Sequence, residues 1–209
     1  MKFNDKQVQI IEEAEKLFAQ KGFKGTSVRE IAQNAGINLA MISYYFGSKD
    51  KLLEAIFVYR GHNTKISLEE ILKNGKMSPA EKIDVLIEKY VQKIFSQKPF
   101  YKIMSKEMLT NNTENTEKLI LEIKTQNLEL IAKIISEGQK SGEFSTDVDL
   151  PLIMATLSGA ANNFIATQKY YRKLSGLESM KEKEFENLLL NKLTKNLKRI
   201  FKTLLSNDN

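Results

Sequence analysis

Residues 25–58, GTSVREIAQNAGINLAMISYYFGSKDKLLEAIFV, contain the pattern that decides the fold of this chain. Ser27 followed by Glu30 is the arrangement that caps the start of a helix. Gly36 then interrupts the apolar positions, which recur at three- and four-residue steps on both sides of it. Two short helices joined by a tight turn at a glycine are typical of a helix-turn-helix. The stretch therefore predicts a helix-turn-helix, whose later helix covers about residues 39–46.

The rest of the chain is also predicted to be helical. Upstream, apolar residues at helical spacing define a first helix that ends near Gly22. Downstream, residues 47–48 precede a fourth helix, and Ser78 with Glu81 forms a capping box at the start of a later one. Thr110 begins a polar segment, TNNTENTE, that we expect to be a loop. No run of strict alternation indicates a strand, so the sequence predicts an all-α protein.

Composition excludes several classes of active site. The 209 residues contain no cysteine and a single histidine, His62, which excludes a cysteine nucleophile, a disulfide framework and a site built from several histidines. No phosphate-loop glycine pattern is present, and we expect neither catalysis nor a bound metal or cofactor. The sequence has no signal-peptide pattern and no apolar run long enough to cross a membrane. We therefore expect a cytoplasmic protein without a membrane partner.

Three segments, AEKLFAQKGF, TSVREIAQNAGI and YYFGSKDKLL, occur in the order found in a known family. Together they resemble the DNA-binding domain of the TetR family of bacterial transcriptional regulators. The resemblance implies an N-terminal three-helix helix-turn-helix DNA-binding domain at residues 4–64, followed by a larger helical ligand-binding and dimerisation domain at residues 65–209. It also implies a regulator, most often a repressor, that binds a palindromic double-stranded DNA operator as a homodimer and is released by a small-molecule effector.

The second and third helices supply the candidate DNA contacts, because a recognition helix presents its outward side chains to the major groove. The residues predicted to contact DNA are Thr26, Ser27, Arg29, Asn38, Leu39, Ala40, Met41, Ser43, Tyr44, Tyr45 and Lys49. Leu39 and Met41 have the alternative of packing on the second helix, and Arg29 has that of an ordinary solvated arginine. One of the two tyrosines can belong to the core, and we expect Tyr44 to be the exposed one. The commonest family pattern has a tyrosine in place of Ser43 and often a glycine in place of Ala40, so the detailed contacts are expected to differ.

Positive charge supports this assignment locally. The formal net charge is +6, and residues 21–51 hold five basic residues against two acidic ones, a balance of +3. Lys49 opens the fourth helix, whose free N–H groups and dipole favour an anion. We therefore predict that Lys49 and the Ser48 amide clamp a DNA phosphate.

The larger domain is predicted to bind the effector and to form the dimer. The candidate pocket residues are Tyr101, Met104, Met108, Gln126, Asn162, Asn163 and Phe164. Aromatic and methionine side chains there can equally be core residues, whereas buried amides need polar partners that a ligand can provide. The candidate dimer residues are Gly159, Leu189, Leu193, Leu197, Ile200 and Leu204. The alternative for this apolar stripe is the core of a single chain.

One other function fits the same fold. A helical scaffold that binds proteins and has no DNA-binding activity needs none of the DNA contacts above. A gel-shift experiment with the DNA upstream of the chain's own gene separates the two functions.

Overall fold

A computed structural model of the chain describes residues 3–110 and 114–206. The described residues form nine helices and no strand, so the prediction of an all-α fold is confirmed. The helices are α1 (Asp5–Lys21), α2 (Val28–Asn34), α3 (Leu39–Phe46), α4 (Lys49–Lys73), α5 (Pro79–Ser96), α6 (Lys98–Thr110), α7 (Glu114–Ser141), α8 (Leu150–Leu174) and α9 (Glu182–Leu205). In the part of the chain that the structure describes, no helix is both long and apolar enough to span a bilayer.

The polar segment that begins at Thr110 is largely helical rather than a loop. Thr110 ends α6, and residues 114–117 form the first turn of α7. Residues 111–113 of the predicted loop lie outside the described residues. Polar composition alone misled the prediction here, because asparagine, threonine and glutamate also occur at helix starts.

The helix starts follow the capping patterns of the sequence. At α5, the Ser78 side chain accepts a hydrogen bond from the Glu81 amide, and the Glu81 carboxylate accepts one from the Ser78 amide, which completes the predicted capping box. At α2, Ser27 accepts a hydrogen bond from the Glu30 amide. The Glu30 carboxylate pairs with Lys21 instead of the Ser27 amide. Ser27 therefore caps α2 with one half of a capping box.

The chain divides into two compact units. The first unit comprises Met1–Ile66 with Lys98–Gln126, and the second comprises Ser67–Gln97 with Asn127–Asn209. These units differ from the predicted domains because α6 and the first part of α7 group with the N-terminal helices. The domains at residues 4–64 and 65–209 remain a prediction about how function is divided along the chain.

In the first unit, α1 packs against α2 and α6, and α2 packs against α3. Its core contains apolar side chains of α1 to α4: Ile10, Ile11, Ala14, Phe18, Ile31, Ile42, Leu52, Leu53, Ile56 and Phe57. Phe57 also contacts Phe100 of α6, with ring centroids 5.7 Å apart. Burying each large side chain of this kind contributes about 1.5–3 kcal/mol. This burial holds the short helices α2 and α3, which are too short to be stable alone.

In the second unit, α5, α8 and α9 pack against one another. The buried ridge of α9 repeats every four residues: Phe185, Leu189, Leu193, Leu197, Phe201 and Leu205. The loop after α7 closes onto this unit through two close contacts. A Cβ at Gly138 would lie 2.0 Å from the ring of Phe144, so that position has room only for glycine. The Ser145 amide donates to the Leu205 carbonyl at 2.9 Å, which ties the loop to the end of α9.

Candidate nucleic-acid interface

The turn between α2 and α3 is built from hydrogen bonds to the backbone. Gly36 has a positive φ of 62°, a conformation that glycine adopts without side-chain strain. The Ile37 amide donates to the Ala32 carbonyl at 3.0 Å, which closes the end of α2. The Gln9 side chain of α1 donates to the Ala35 carbonyl at 2.8 Å. Through this bond α1 fixes the turn that orients α3 relative to α2.

α3 has one buried and one exposed face. Asn38 caps the helix by accepting a hydrogen bond from the Ala40 amide at 2.9 Å, and Ile42 is buried. Tyr44 is 82% exposed, as expected. The predicted contact residues that the structure leaves exposed here are Asn38, Leu39, Ala40, Ser43 and Tyr44, whereas Met41 and Tyr45 are half-buried. A major groove can reach this exposed face, and DNA contact by these residues remains a prediction.

Thr26 is a structural residue rather than an exposed one. Its side chain is 2% exposed, and its hydroxyl lies 2.9 Å from the Gly22 carbonyl and 3.3 Å from the Leu17 carbonyl, to which it donates. Thr26 was predicted to contact DNA, and its buried side chain leaves only its backbone for such a contact, which remains a prediction. Its hydroxyl instead ties the end of α1 to the loop that leads into α2.

Lys49 is engaged by the backbone of the loop before α2. Its Nζ donates to the Phe23 and Thr26 carbonyls, both at 2.9 Å, and lies 4.4 Å from the centroid of the Phe23 ring. An ammonium group has three N–H donors, and two of them are used by these carbonyls. One donor is left for a phosphate, so the predicted clamp is weaker than the sequence analysis expected.

Two of the five basic side chains in residues 21–51 are paired with carboxylates. Lys21 pairs with Glu30, and Lys51 pairs with Glu54 at 2.8 Å. Arg29 is exposed and forms no ion pair within the part of the chain that the structure describes. It lies in the first turn of α2, the helix that packs against α3. Arg29 and Lys24, which is also exposed and outside any ion pair of the described residues, are therefore the candidates in this region for a charged contact with a phosphate.

A cleft of about 410 Å³ lies where the start of α2, the end of α3 and the start of α4 meet. It is lined by Ser27, Val28, Ile42, Ser43, Gly47, Ser48 and Lys49. The Ser48 side chain caps α4 by accepting a hydrogen bond from the Lys51 amide at 3.1 Å. Ser27, Ser43 and Lys49, which the sequence analysis chose separately, are thus brought together at one site. The first turn of α4 adds N–H groups that favour an anion there.

The residues predicted for an effector pocket are divided between the two units. The first unit contains Tyr101, Met104, Met108 and Gln126, and the second contains Asn162, Asn163 and Phe164. Tyr101 is buried, and burial raises the pKa of its hydroxyl to about 12, so it is protonated at neutral pH. Gln126 donates to the Glu122 carboxylate at 3.2 Å, and Asn163 is exposed. Neither amide is the deeply buried group on which the argument for a pocket relied, and the pocket remains a prediction.

The residues predicted for the dimer interface fall into two groups. Leu189, Leu193 and Leu197 are at most 3% exposed in the single chain. They belong to the core around α9, so their assignment to the interface is corrected. Gly159, Ile200 and Leu204 are exposed. The spacing could not distinguish these groups, because a buried ridge and an interface ridge on a helix have the same period.

The outward face of α8 carries apolar side chains that the sequence analysis missed. Leu152 is 63% exposed, and Tyr170 and Leu174 are also exposed. They lie on the same face as Gly159, at steps of seven, eleven and four residues along α8. Large exposed apolar residues on one helix face are typical of an interaction surface.

Comparison with known sequences identifies two matching families. Residues 10–56 match the family described as bacterial regulatory proteins, tetR family, and residues 79–189 match the tetracyclin repressor-like C-terminal domain. The probable HTH-type transcriptional regulator YttP of Bacillus subtilis (strain 168) is 36% identical over 150 residues, 68% of this chain and 68% of that protein. The fatty acid metabolism regulator protein of the same organism is 28% identical over 170 residues, 79% of this chain and 87% of that protein.

Solved structures of low sequence identity share the fold. The fatty acid degradation regulator FadR from Bacillus halodurans superposes with a TM-score of 0.76 at 21% identity, over 95% of this chain and 97% of that one. FadR from Bacillus subtilis in complex with stearoyl-CoA superposes with a TM-score of 0.68 at 23% identity, over 91% and 96%. These neighbours confirm the predicted order of an N-terminal helix-turn-helix domain and a helical C-terminal domain.

Proposed function

The chain belongs to the TetR family of bacterial regulatory proteins, and we propose that it is a repressor that binds a palindromic DNA operator as a homodimer and is released by a small-molecule effector. The relatives described above are transcriptional regulators, and DNA binding and repression are supported at the level of the family. The observation that carries the proposal is the exposed face of α3, held by a turn that α1 fixes through Gln9.

In the proposed complex, α3 lies in the major groove. Asn38 and Ser43 offer polar groups to base edges, and Leu39 offers an apolar contact to thymine methyl groups. Tyr44 and Arg29 reach phosphates on either side of the groove. Phosphate contacts position the helix, whereas base contacts select the sequence.

A homodimer follows from the small size of the helix-turn-helix. One unit reads only a few base pairs, and two units on a palindrome multiply the specificity. The outward face of α8, with Leu152, Gly159, Tyr170 and Leu174, is the proposed interface. Ile200 and Leu204 of α9 are exposed and remain candidates for the interface.

The comparisons favour a fatty acyl thioester as the first effector to test. One relative is named a fatty acid metabolism regulator, and one structure of the same fold contains stearoyl-CoA. We propose that effector binding moves α4, a single helix that contributes residues to both units and begins at Lys49. Movement of α4 would change the separation of the two recognition helices in the dimer.

A gel-shift titration tests this function. The purified protein is titrated against DNA from upstream of its own gene, at low salt, with and without stearoyl-CoA. Free CoA and free stearate serve as controls. We expect a protein–DNA complex of reduced mobility, which stearoyl-CoA dissociates and which free CoA and free stearate leave intact. Absence of retardation with dimeric protein would contradict DNA binding and favour the helical scaffold, whereas retardation that no acyl-CoA reverses would contradict only the effector class.

A further inference from the structure

The peptide unit between Ala35 and Gly36 sets the direction in which α3 leaves α2. Only residues 35–38 connect the two helices. Gly36 has a positive φ, and a Cβ at this position would meet no atom within 4 Å. Because glycine has the widest choice of backbone torsions and nothing packs against it here, Gly36 is restrained by hydrogen bonds rather than by packing.

Gln9 of α1 holds one end of this peptide unit. The Gly36 amide donates to the Gln33 carbonyl at 3.2 Å, and the Ala35 carbonyl accepts a hydrogen bond from the Gln9 side chain at 2.8 Å. No other hydrogen bond to the Ala35 carbonyl occurs within the part of the chain that the structure describes. Ala35 is 2% exposed, so solvent has little access to it, and an acceptor left without a partner there is costly. Without Gln9, the peptide unit keeps only the longer of its two hydrogen bonds.

The Gln9 side chain is itself oriented by α1. Its Oε1 accepts a hydrogen bond from Lys6 Nζ at 3.2 Å, which leaves its Nε2 to donate to the turn. The next two residues, Ile10 and Ile11, are buried in the core, so the backbone that carries Gln9 is held in place. The hydrogen bond therefore joins a fixed helix to a turn with soft torsions.

A small rotation at this turn moves the far end of α3 by a larger distance. The helix has eight residues. At 1.5 Å per residue it is about 12 Å long, so a rotation of about 5° at its start displaces its end by about 1 Å. Hydrogen bonds to base edges have a distance range of only about 0.5 Å, whereas a long side chain such as that of Arg29 can follow a phosphate over such a shift. The angle of α3 therefore affects base contacts more than phosphate contacts, and base contacts select the sequence.

We propose that Gln9 is a positioning residue for operator recognition, because its hydrogen bond to Ala35 sets the angle at which α3 enters the major groove. Gln9 determines how well the protein distinguishes its operator from other DNA, and it contributes little to the affinity for DNA of any sequence. This role rests on the proposed DNA binding by α3. Gln9 is not among the proposed DNA contacts, and it acts through the turn.

The test replaces Gln9 by methionine, which has a side chain of similar length and favours a helix but cannot donate a hydrogen bond. The matched control is Gln20→Met. Gln20 is exposed on the same face of α1, eleven residues further along, and its side chain forms no hydrogen bond with any residue that the structure describes. Gel-shift titrations at one salt concentration give the Kd of each protein for two duplexes of equal length. One is the DNA upstream of the chain's own gene, and the other has a random sequence.

We expect Gln9→Met to raise the Kd for the upstream DNA about tenfold, the effect of about one mismatched base pair. The Kd for the random duplex should change by less than about twofold, because phosphate contacts supply that affinity. A loss of folded protein would raise both Kd values by the same factor. If the ratio of the two Kd values is unchanged in Gln9→Met, or falls equally in Gln20→Met, the proposal is overturned.

Gln9→Lys tests whether the donor is the property that matters. Its ammonium group can donate to the Ala35 carbonyl, so we expect the ratio of the two Kd values to return to within about threefold of wild type. Gln20→Lys adds the same charge to the same face of α1 and is the control for a general gain in DNA affinity. If Gln9→Lys discriminates between the duplexes as poorly as Gln9→Met, donation to Ala35 is not the role of Gln9.

The same titrations separate the role of Gln9 from the proposed function. Wild-type protein that binds both duplexes equally, or neither, contradicts sequence-specific DNA binding, and the role of Gln9 fails with it. If wild type prefers the upstream DNA and Gln9→Met prefers it to the same extent, the proposed function stands and only the role of Gln9 is overturned.

Discussion

Arg60 on α4 holds the buried carboxylate of Glu15 on α1 through two hydrogen bonds, 2.8 Å from Nε and 3.1 Å from Nη2. The Arg60 side chain is 14% exposed and that of Glu15 is 4% exposed. Burial raises the pKa of Glu15 above its ordinary value of 4.5, and the hydrogen bond and charge of Arg60 act in the opposite direction. The pair joins α4 to α1, and α1 holds the turn between α2 and α3 through Gln9.

Arg60→Ala should destabilise the protein in a pH-dependent way. It leaves a buried carboxylate without its counter-charge, so we expect the free energy of unfolding to fall by about 3 kcal/mol near pH 8. The pKa of Glu15 in the folded protein should rise further. When the pKa of a carboxyl group is higher in the folded than in the unfolded protein, the protonated group stabilises the fold below the unfolded-state pKa. This stability is lost as the pH rises through the folded-state pKa. The loss should therefore be smaller near pH 5, which urea unfolding at the two pH values would measure.

The control places Arg60→Ala in a Glu15→Gln background, where no carboxylate can titrate. The difference between the two proteins should then be the same at both pH values. A pH dependence that persists in this background would assign the effect to another group.

Lys49→Ala is expected to lower the stability of the fold more than it weakens direct contact with DNA. It removes the donor to the Phe23 and Thr26 carbonyls, so the free energy of unfolding should fall by about 1–2 kcal/mol. The affinity of this variant for DNA should fall on all sequences. Arg29→Ala should lower the slope of the logarithm of the DNA-binding constant against the logarithm of the salt concentration by about 1. Lys49→Ala should change this slope by less. Lys51→Ala is the control, because Lys51 pairs on the surface with Glu54. Unchanged stability with a slope lowered by 1 would instead restore Lys49 as a phosphate clamp.

Local patterns predicted the helices well, and long-range contacts explain what they missed. Caps such as Ser78 and Glu81 are encoded within three residues, so the sequence shows them directly. The bond from Lys49 to Phe23 spans 26 positions and the pair of Arg60 with Glu15 spans 45 positions, and no spacing rule connects such residues. Lys49 was therefore assigned to DNA from its place at a helix start, although the fold uses it to hold a loop.

Tyr44→Ala should weaken DNA binding without changing the fold. The side chain is 82% exposed and its ring contacts that of Tyr45 at 5.1 Å, so little core packing is lost. We expect about a tenfold weaker affinity for the operator, since an aromatic side chain at the centre of an interface contributes 1–2 kcal/mol or more. Leu121→Ala, at a residue 65% exposed on α7 and outside every proposed site, is the control, because it also truncates a large exposed side chain. A gel-shift titration in which both variants bind like wild type would remove Tyr44 from the contact list.

Gly159→Leu tests the outward face of α8 as the dimer interface. A Cβ at this position meets no atom within 4 Å in the single chain, and leucine favours a helix more than glycine does, so the monomer should lose no stability. Any weakening of the dimer must then come from the partner chain. We expect sedimentation equilibrium to give a dimer Kd raised about tenfold, with a parallel loss of operator affinity, because a bulky side chain prevents close approach of two helix backbones.

Gly75→Leu is the matched control, because a Cβ there also meets nothing within 4 Å and Gly75 lies in the loop between α4 and α5. It should dimerise like wild type. If Gly159→Leu does the same, Leu152, Tyr170 and Leu174 need another partner, since the remaining candidates, Ile200 and Leu204, lie on α9. Because the substitution adds a side chain to open space, a loss of dimer cannot be attributed to damage within the monomer, and this makes it a sharper test than truncating a leucine of the α9 core.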